Sequence, residues 1–239
     1  FMLDELQKRG IQPEGCVVGE PTSMQVIIAH KGINLYRCCV HGKAAHSSLT
    51  PQGCNAIEHA ARLICHIHDM ADRMKAQGPY DHLYDVPFTT LTTNQIQGGI
   101  ASNILPEQCE FVYEFRNLPG MSPANIQSRI EDYVHSDLLP RMQTEYAQAR
   151  VDITSTAQAP ALEADEQAAI TQLVRALTSD TQQRKVAFAT EAGHFQHIGI
   201  PTVVCGPGSI EQAHKPDEFI EISQMQACEQ FLRKLALAL

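Results

Sequence analysis

From residue 29 to about 155, apolar residues recur at every second position, then at intervals of three and four, then at every second position again. This change of period limits the fold more than any other feature of the chain. A period of two lines one face of a strand, whereas a period near 3.6 lines one stripe of a helix. "QVIIAHKGINLYRCCVHG" reads as β-branched, alternating strand around a turn at Lys31-Gly32. Residues 55–74 carry Ile57, Ala60, Ala61, Leu63, Ile64, Ile67 and Met70 at helical spacing. "FTTLTTNQIQGG" and "EQCEFVYEFRNLPG" read as strands, residues 123–139 as a helix on Ile126, Ile130, Val134 and Leu138, and "ARVDITST" as a further strand. The predicted order of strand, strand, helix, strand, strand, helix, strand is an α+β module of the split βαβ, ferredoxin-like kind.

The flanks follow a different plan. "MLDELQKRG" places Met2, Leu3 and Leu6 on one helical face, and "CVV" at 16–18 reads as a short strand broken by Gly19. After the module come a predicted helix over 163–179, strands at "KVAFAT" and "PTVVCG", and a closing amphipathic helix from "SQMQACEQFLRKLALAL". Such alternation predicts a parallel α/β sheet. The expectation is therefore an α/β domain made of residues 1–28 and 156–239, with the α+β module 29–155 inserted into it. Because the chain opens on a helix face, either a residue or two or a whole preceding segment is expected to lie upstream.

Composition narrows the function. With 239 residues and 44% hydrophobic content the chain can build real cores. Its 18 Lys+Arg against 27 Asp+Glu give a formal charge of -9 and no basic stripe, which argues against nucleic acid as a partner. No apolar run approaches the roughly 20 residues that span a bilayer, and no secretory signal opens the chain. Eight scattered cysteines without a Cys-x-x-Cys pair read as reduced core residues of a cytoplasmic protein.

Two candidate residues share a position in this plan. Glu20 follows the strand "CVV", and His214, in "GPGSIEQAHKPDEF", follows the strand "PTVVCG"; both should emerge at the carboxyl ends of neighbouring parallel strands, where open α/β sheets bind ligands. A carboxylate and an imidazole can both ligate Zn²⁺, although a catalytic zinc usually takes three protein ligands. From the residues alone, His214 can equally be a loop imidazole bonded to backbone, and Glu20 a solvated turn acid.

"VVGEPTS", "HGKAAHSS", "GGIASNILP", "EFRNLP", "ATEAGHF" and "GPGSIEQAHKPDEF" occur in the order found in the M20 metallopeptidase-like family, and most resemble its acetylornithine deacetylase branch. The resemblance covers essentially the whole chain. It implies a catalytic α/β domain holding two zinc ions, with cobalt as a possible substitute, interrupted by a lid domain that forms a homodimer. It also implies a small N-acyl amino acid as substrate, with N²-acetyl-L-ornithine deacetylated in arginine biosynthesis. Residue by residue, Glu20 resembles a ligand of one zinc and His214 a ligand of the other. His46 resembles the histidine that reaches across the dimer to stabilise the tetrahedral intermediate, a role in which one donor is worth roughly 2.7 to 4 kcal/mol. Asn103 resembles a lid asparagine that contacts substrate, Arg116 the arginine that grips the α-carboxylate with its fork, and Thr190 a threonine near substrate. The plainer alternatives are a surface lid histidine for His46, since His41 sits nearby without a role, a surface ion pair for Arg116, and a strand-end hydroxyl for Thr190.

The family's His-x-Asp strand end, bridging aspartate and Glu-Glu pair, which lie upstream of the GEPT segment, have no counterpart here; the nineteen residues before Glu20 contain no histidine. The expectation is that the carboxyl-terminal part of an enzyme is present, inactive by itself. Two other readings stay open: a succinyl-diaminopimelate desuccinylase, aminoacylase or dipeptidase on the same scaffold, and a non-catalytic dimerisation or binding module.

Overall fold

The structure, a computed structural model, describes residues 2–213 and 215–238; Phe1, His214 and Leu239 lie outside the described residues. Along the chain run α1 (Met2–Lys8), β1 (Cys16–Val18), β2 (Ala29–His30), β3 (Ile33–His41), a 3-10 turn (Ser47–Gln52), α2 (Ala56–Gln77), β4 (Thr90–Gly98) and β5 (Gln108–Arg116). Then come α3 (Pro123–Tyr133), a π-helical turn (Val134–Leu138), α4 (Leu139–Glu145), β6 (Arg150–Ala159), β7 (Leu162–Glu163), α5 (Ala169–Thr178), β8 (Lys185–Val186), α6 (Ala192–His197), β9 (Thr202–Val204) and α7 (Ile222–Ala238). These elements form two compact units, one of residues 1–32, 81–87 and 159–239, the other of 33–80 and 88–158. The junctions fall a few residues later than 28/29 and 155/156, and the short return at 81–87 has no signal in the sequence pattern.

The first unit is α/β. β1 and β9 pair in parallel, Cys16 opposite Thr202 and Val18 opposite Val204. β2 lies between β8, to which it is parallel, and β7, to which it is antiparallel. Successive residues of the 26–28 segment face opposite ways: Val26 and Ile28 pack with Val174, Val203 and Phe231, while Ile27 packs with Leu162, Ala192 and Val204. Burial on both faces is why these short runs are continuous apolar stretches rather than alternating ones.

The second unit is an antiparallel α+β layer with strand order β4-β5-β3-β6. β3 and β5 alternate strictly, burying Tyr36, Cys38 and Val40 on one and Cys109, Phe111, Tyr113 and Phe115 on the other. The Tyr36 and Tyr113 rings stack at 5.3 Å across the register. α2 covers this face with His59, Ala60, Leu63, Ile67, Met70 and Met74 buried. Its start is set by Asn55, whose side chain accepts the N–H of Ile57 and of Glu58, and its end by Gly78 at φ 71, whose N–H returns to the Met74 carbonyl.

Four expectations are corrected. β2 and β3 are not partners around a turn at Lys31-Gly32. β2 belongs to the first unit and β3 to the second, so the inserted module reads strand, helix, strand, strand, helix, strand, the ferredoxin-like order. The helix expected from 163 begins at Ala169, because Leu162 is fully buried in pairing with His30 and Asp165 opens a turn whose carbonyl accepts the Ala168 N–H. "KVAFAT" keeps only two strand residues, and α6 carries no clear periodic signal. All eight cysteines are free, but only Cys38, Cys54, Cys109 and Cys205 are buried, and Cys65 is exposed. No helix among the described residues is long and apolar enough to cross a membrane.

Candidate active-site edge and lid residues

The parallel pairing of β1 with β9 brings the segments that follow them to one sheet edge. Cys205 donates its N–H to the Val18 carbonyl at 2.9 Å, so pairing runs past the strand ends. Beyond this the two loops interlock. The Thr22 hydroxyl accepts the Gly206 N–H at 3.1 Å and donates to the Gln25 carbonyl at 2.7 Å. The backbone N–H groups of Thr22 and Met24 both donate to the Gly206 carbonyl, and that of Ser23 to the Gly208 carbonyl at 2.6 Å. Gly206 has to be glycine, since a Cβ there would collide with the backbone of Gly19 and Glu20. Half-buried Glu20 thus sits in a segment clamped at the carboxyl edge of β1. His214 lies outside the described residues. Thr22 and Gly206 were missed as site-building residues; "GEPTS" and "GPGS" signal turns, but nothing in either says that the other is its partner.

Thr190, also in this unit, is 6% exposed, and its hydroxyl accepts the N–H of Ala192, the first residue of α6, at 3.0 Å. That bond explains a threonine before "EAGHF" on structural grounds.

In the second unit the β3–β5 ladder, which pairs Asn34 with Phe115 and His41 with Gln108, continues beyond the strands to pair His46 with Ile104. Ser47 donates its N–H to the Asn103 carbonyl at 2.9 Å, so His46 and Asn103 lie on adjacent segments, both exposed. His46 caps the 3-10 turn. Its Nδ1 lies 3.2 Å from the Ser48 N and 2.8 Å from the Ser48 Oγ. Accepting the backbone N–H at Nδ1 assigns the ring proton of neutral His46 to Nε2, leaving an N–H donor on the outward side. His41 is engaged elsewhere, with its Nε2 3.0 Å from the Asp152 carboxylate on β6.

Arg116 is not with them. It ends β5 opposite Thr90, and the nine residues of that strand span roughly 27 Å, so Arg116 and the His46–Asn103 pair occupy opposite ends of the sheet. Its Nε faces the Glu114 carboxylate at 3.4 Å, and its side chain is 28% exposed.

A parallel α/β unit interrupted in sequence by an antiparallel α+β unit is also the organisation of solved peptidases and amidohydrolases. An aminopeptidase from Bacillus cereus superposes with a TM-score of 0.72 at 16% identity over 94% of this chain and 57% of that one. A Staphylococcus aureus tripeptidase gives 0.68 at 19% identity over 96% and 58%. Residues 28–142 match the M20 peptidase dimerisation domain. Acetylornithine deacetylase of Proteus mirabilis is 32% identical over 94% of this chain and 56% of its own length, and that of a Salmonella arizonae strain 37% identical over 88% and 53%. The chain belongs to the M20 metallopeptidase-like family. It spans about half the length of the curated relatives it matches.

Proposed function

We propose that the whole protein is a metal-dependent amide hydrolase that removes the acetyl group of N²-acetyl-L-ornithine, acting as a homodimer. The observation that carries this reading is the interlock of the loops after β1 and β9, which holds Glu20 at the carboxyl edge of a parallel pair. Its support in substrate is the 32% and 37% identity to acetylornithine deacetylases. Among the described residues no third donor gathers with another around Glu20. A three-ligand metal centre at this edge therefore needs donors beyond these, and no step is assigned to one. This chain's own contribution is recognition and charge stabilisation. His46 presents Nε2–H to an oxygen developing negative charge, Asn103 offers an amide beside it, and the two terminal nitrogens of Arg116 match an α-carboxylate bidentately.

Separation along β5 supports a two-copy site. One small substrate cannot reach Arg116 and the His46–Asn103 pair of the same chain, but it can take the arginine from one copy and the imidazole from the other. Mixed dimers of full-length His46→Ala and Arg116→Ala subunits test this. If the groups come from different copies, one intact site per mixed dimer returns, restoring about half the wild-type rate. Activity no higher than that of either parent would refute the shared site. Turnover of acetylornithine against succinyl-diaminopimelate by the full-length enzyme tests the substrate, and faster hydrolysis of the latter would overturn it.

A further inference from the structure

On the second unit, remote from Glu20 in sequence and using none of the residues assigned above, three donors of different chemistry converge. Cys54, the residue before the α2 cap, His59 in the second turn of α2, and Glu145 at the end of α4 each offer one ligand atom within 4.8 Å of the other two. We infer that Cys54, His59 and Glu145 form a site for a transition-metal dication, best suited to Zn²⁺, that ties the start of α2 to the end of α4.

The donor set selects the metal. Sulfur and imidazole with a single carboxylate suit Zn²⁺ or Co²⁺, whereas Ca²⁺ and Mg²⁺ require oxygen ligands. A thiolate and a carboxylate neutralise a dication, which matters where Cys54 is fully buried and His59 is 5% exposed. With Zn–N near 2.0–2.1 Å, the edge of a tetrahedron between nitrogen and oxygen ligands is about 3.3 Å. His59 Nε2 and Glu145 Oε2 are already 3.1 Å apart. Glu145 is exposed, and a cavity of about 440 Å³ lined by His59, Arg62, Pro140, Arg141, Thr144 and Glu145 provides a path for the ion and room for a water as fourth ligand.

The scaffold is rigid. Cys54 exchanges both backbone hydrogen bonds with Lys43 at 2.9 Å, and the His59 N–H donates to the Asn55 carbonyl. His59 Nδ1 is buried without a partner among the described residues, so in the metal-free protein the ring gives its Nε2–H to Glu145. Burial, reinforced by the Glu145 charge, pushes the Cys54 thiol up to about 12, and its Sγ lies 3.9 Å from the Met142 carbonyl. Metal-free Cys54 is therefore a protonated thiol at neutral pH. Binding replaces the thiol S–H by a sulfur–metal bond and releases that proton to solvent, while the ring proton of His59 moves from Nε2 to Nδ1.

The test is a Co²⁺ titration of the chelator-treated protein, read by thiolate-to-cobalt charge-transfer absorption, which neither Glu20 nor His214 can produce. The expected result is one Co²⁺ per chain with this band, displaced by Zn²⁺. Cys54→Ser should abolish the band, Glu145→Gln should weaken binding by at least about tenfold, and Glu20→Gln should leave the band in place. Glu145→Gln alters an exposed side chain and decides the matter if Cys54→Ser does not fold. No band in the wild type, a band that survives Cys54→Ser, or unchanged affinity in Glu145→Gln would each overturn the site.

Discussion

Replacing Thr22 with valine would remove the hydroxyl that ties the loop after β1 to the loop after β9 while keeping the side chain's shape. Thr22 is 9% exposed, so water cannot readily take over its bonds. Two are lost: acceptance of the Gly206 N–H at 3.1 Å and donation to the Gln25 carbonyl at 2.7 Å. A buried donor left unpaired costs about 1–3 kcal/mol, and an ordinary neutral hydrogen bond contributes about 0.5–1.5 kcal/mol net. Together they put the local loss at about 1.5–4.5 kcal/mol. The Gly206 amide reports on it directly by hydrogen exchange. With 1.4 kcal/mol worth tenfold, its protection should drop by about tenfold to a thousandfold. Thr22→Ser retains the hydroxyl and loses one methyl, worth about 0.8 kcal/mol, so its protection should fall by less than about tenfold. Gly206 protection within about threefold of wild type in Thr22→Val, or equal losses in the two variants, would show that the hydroxyl does not hold the edge.

Three further outcomes are expected. His46→Ala in the full-length enzyme should lower kcat by about 10²–10³ with KM little changed, since the donor acts on charge present only in the transition state; steady-state kinetics with unchanged kcat would remove it from the site. Asn55→Ala should cost about 1 kcal/mol in denaturant unfolding, because the cap accepts from both Ile57 and Glu58. Burial alone would raise the Asp81 carboxyl, but the Lys185 ammonium at 2.7 Å and the Leu83 N–H at 3.0 Å outweigh it and hold the group below the ordinary carboxylate range. A depressed folded-state pKa contributes stability that is full above the unfolded value and disappears as pH falls through the folded one. Acid unfolding of Asp81→Asn should therefore show a shallower loss below about pH 4 than wild type, and identical acid limbs would refute the pairing.

The candidate site was legible in uneven portions. The position of Glu20 follows from where a short apolar run ends, and it could be placed at a strand end without coordinates. The interlock of its loop with the loop after β9 could not, because Thr22 and Gly206 are 184 residues apart and neither segment's composition names its partner. The tautomer of His46 depends on a contact with Ser48, only two residues away, yet its distance from Arg116 depends on the length and register of β5. Cys54 and His59 are close in sequence, but the third donor comes from α4, and nothing in residues 139–145 marks Glu145 as facing them.

What the sequence determined by itself is local. Asn55 before an apolar stripe and Gly78 after it delimit α2, and period-two burial defines β3 and β5, because caps and side-chain direction act over a few residues. Tertiary structure decided which element neighbours which: β2 joins β7 and β8 rather than β3, α5 waits until Leu162 has been buried against His30, and β1 finds β9 across the whole inserted unit. Those choices rest on burying apolar area between segments far apart in the chain, a property of pairs of surfaces that no single stretch of residues contains.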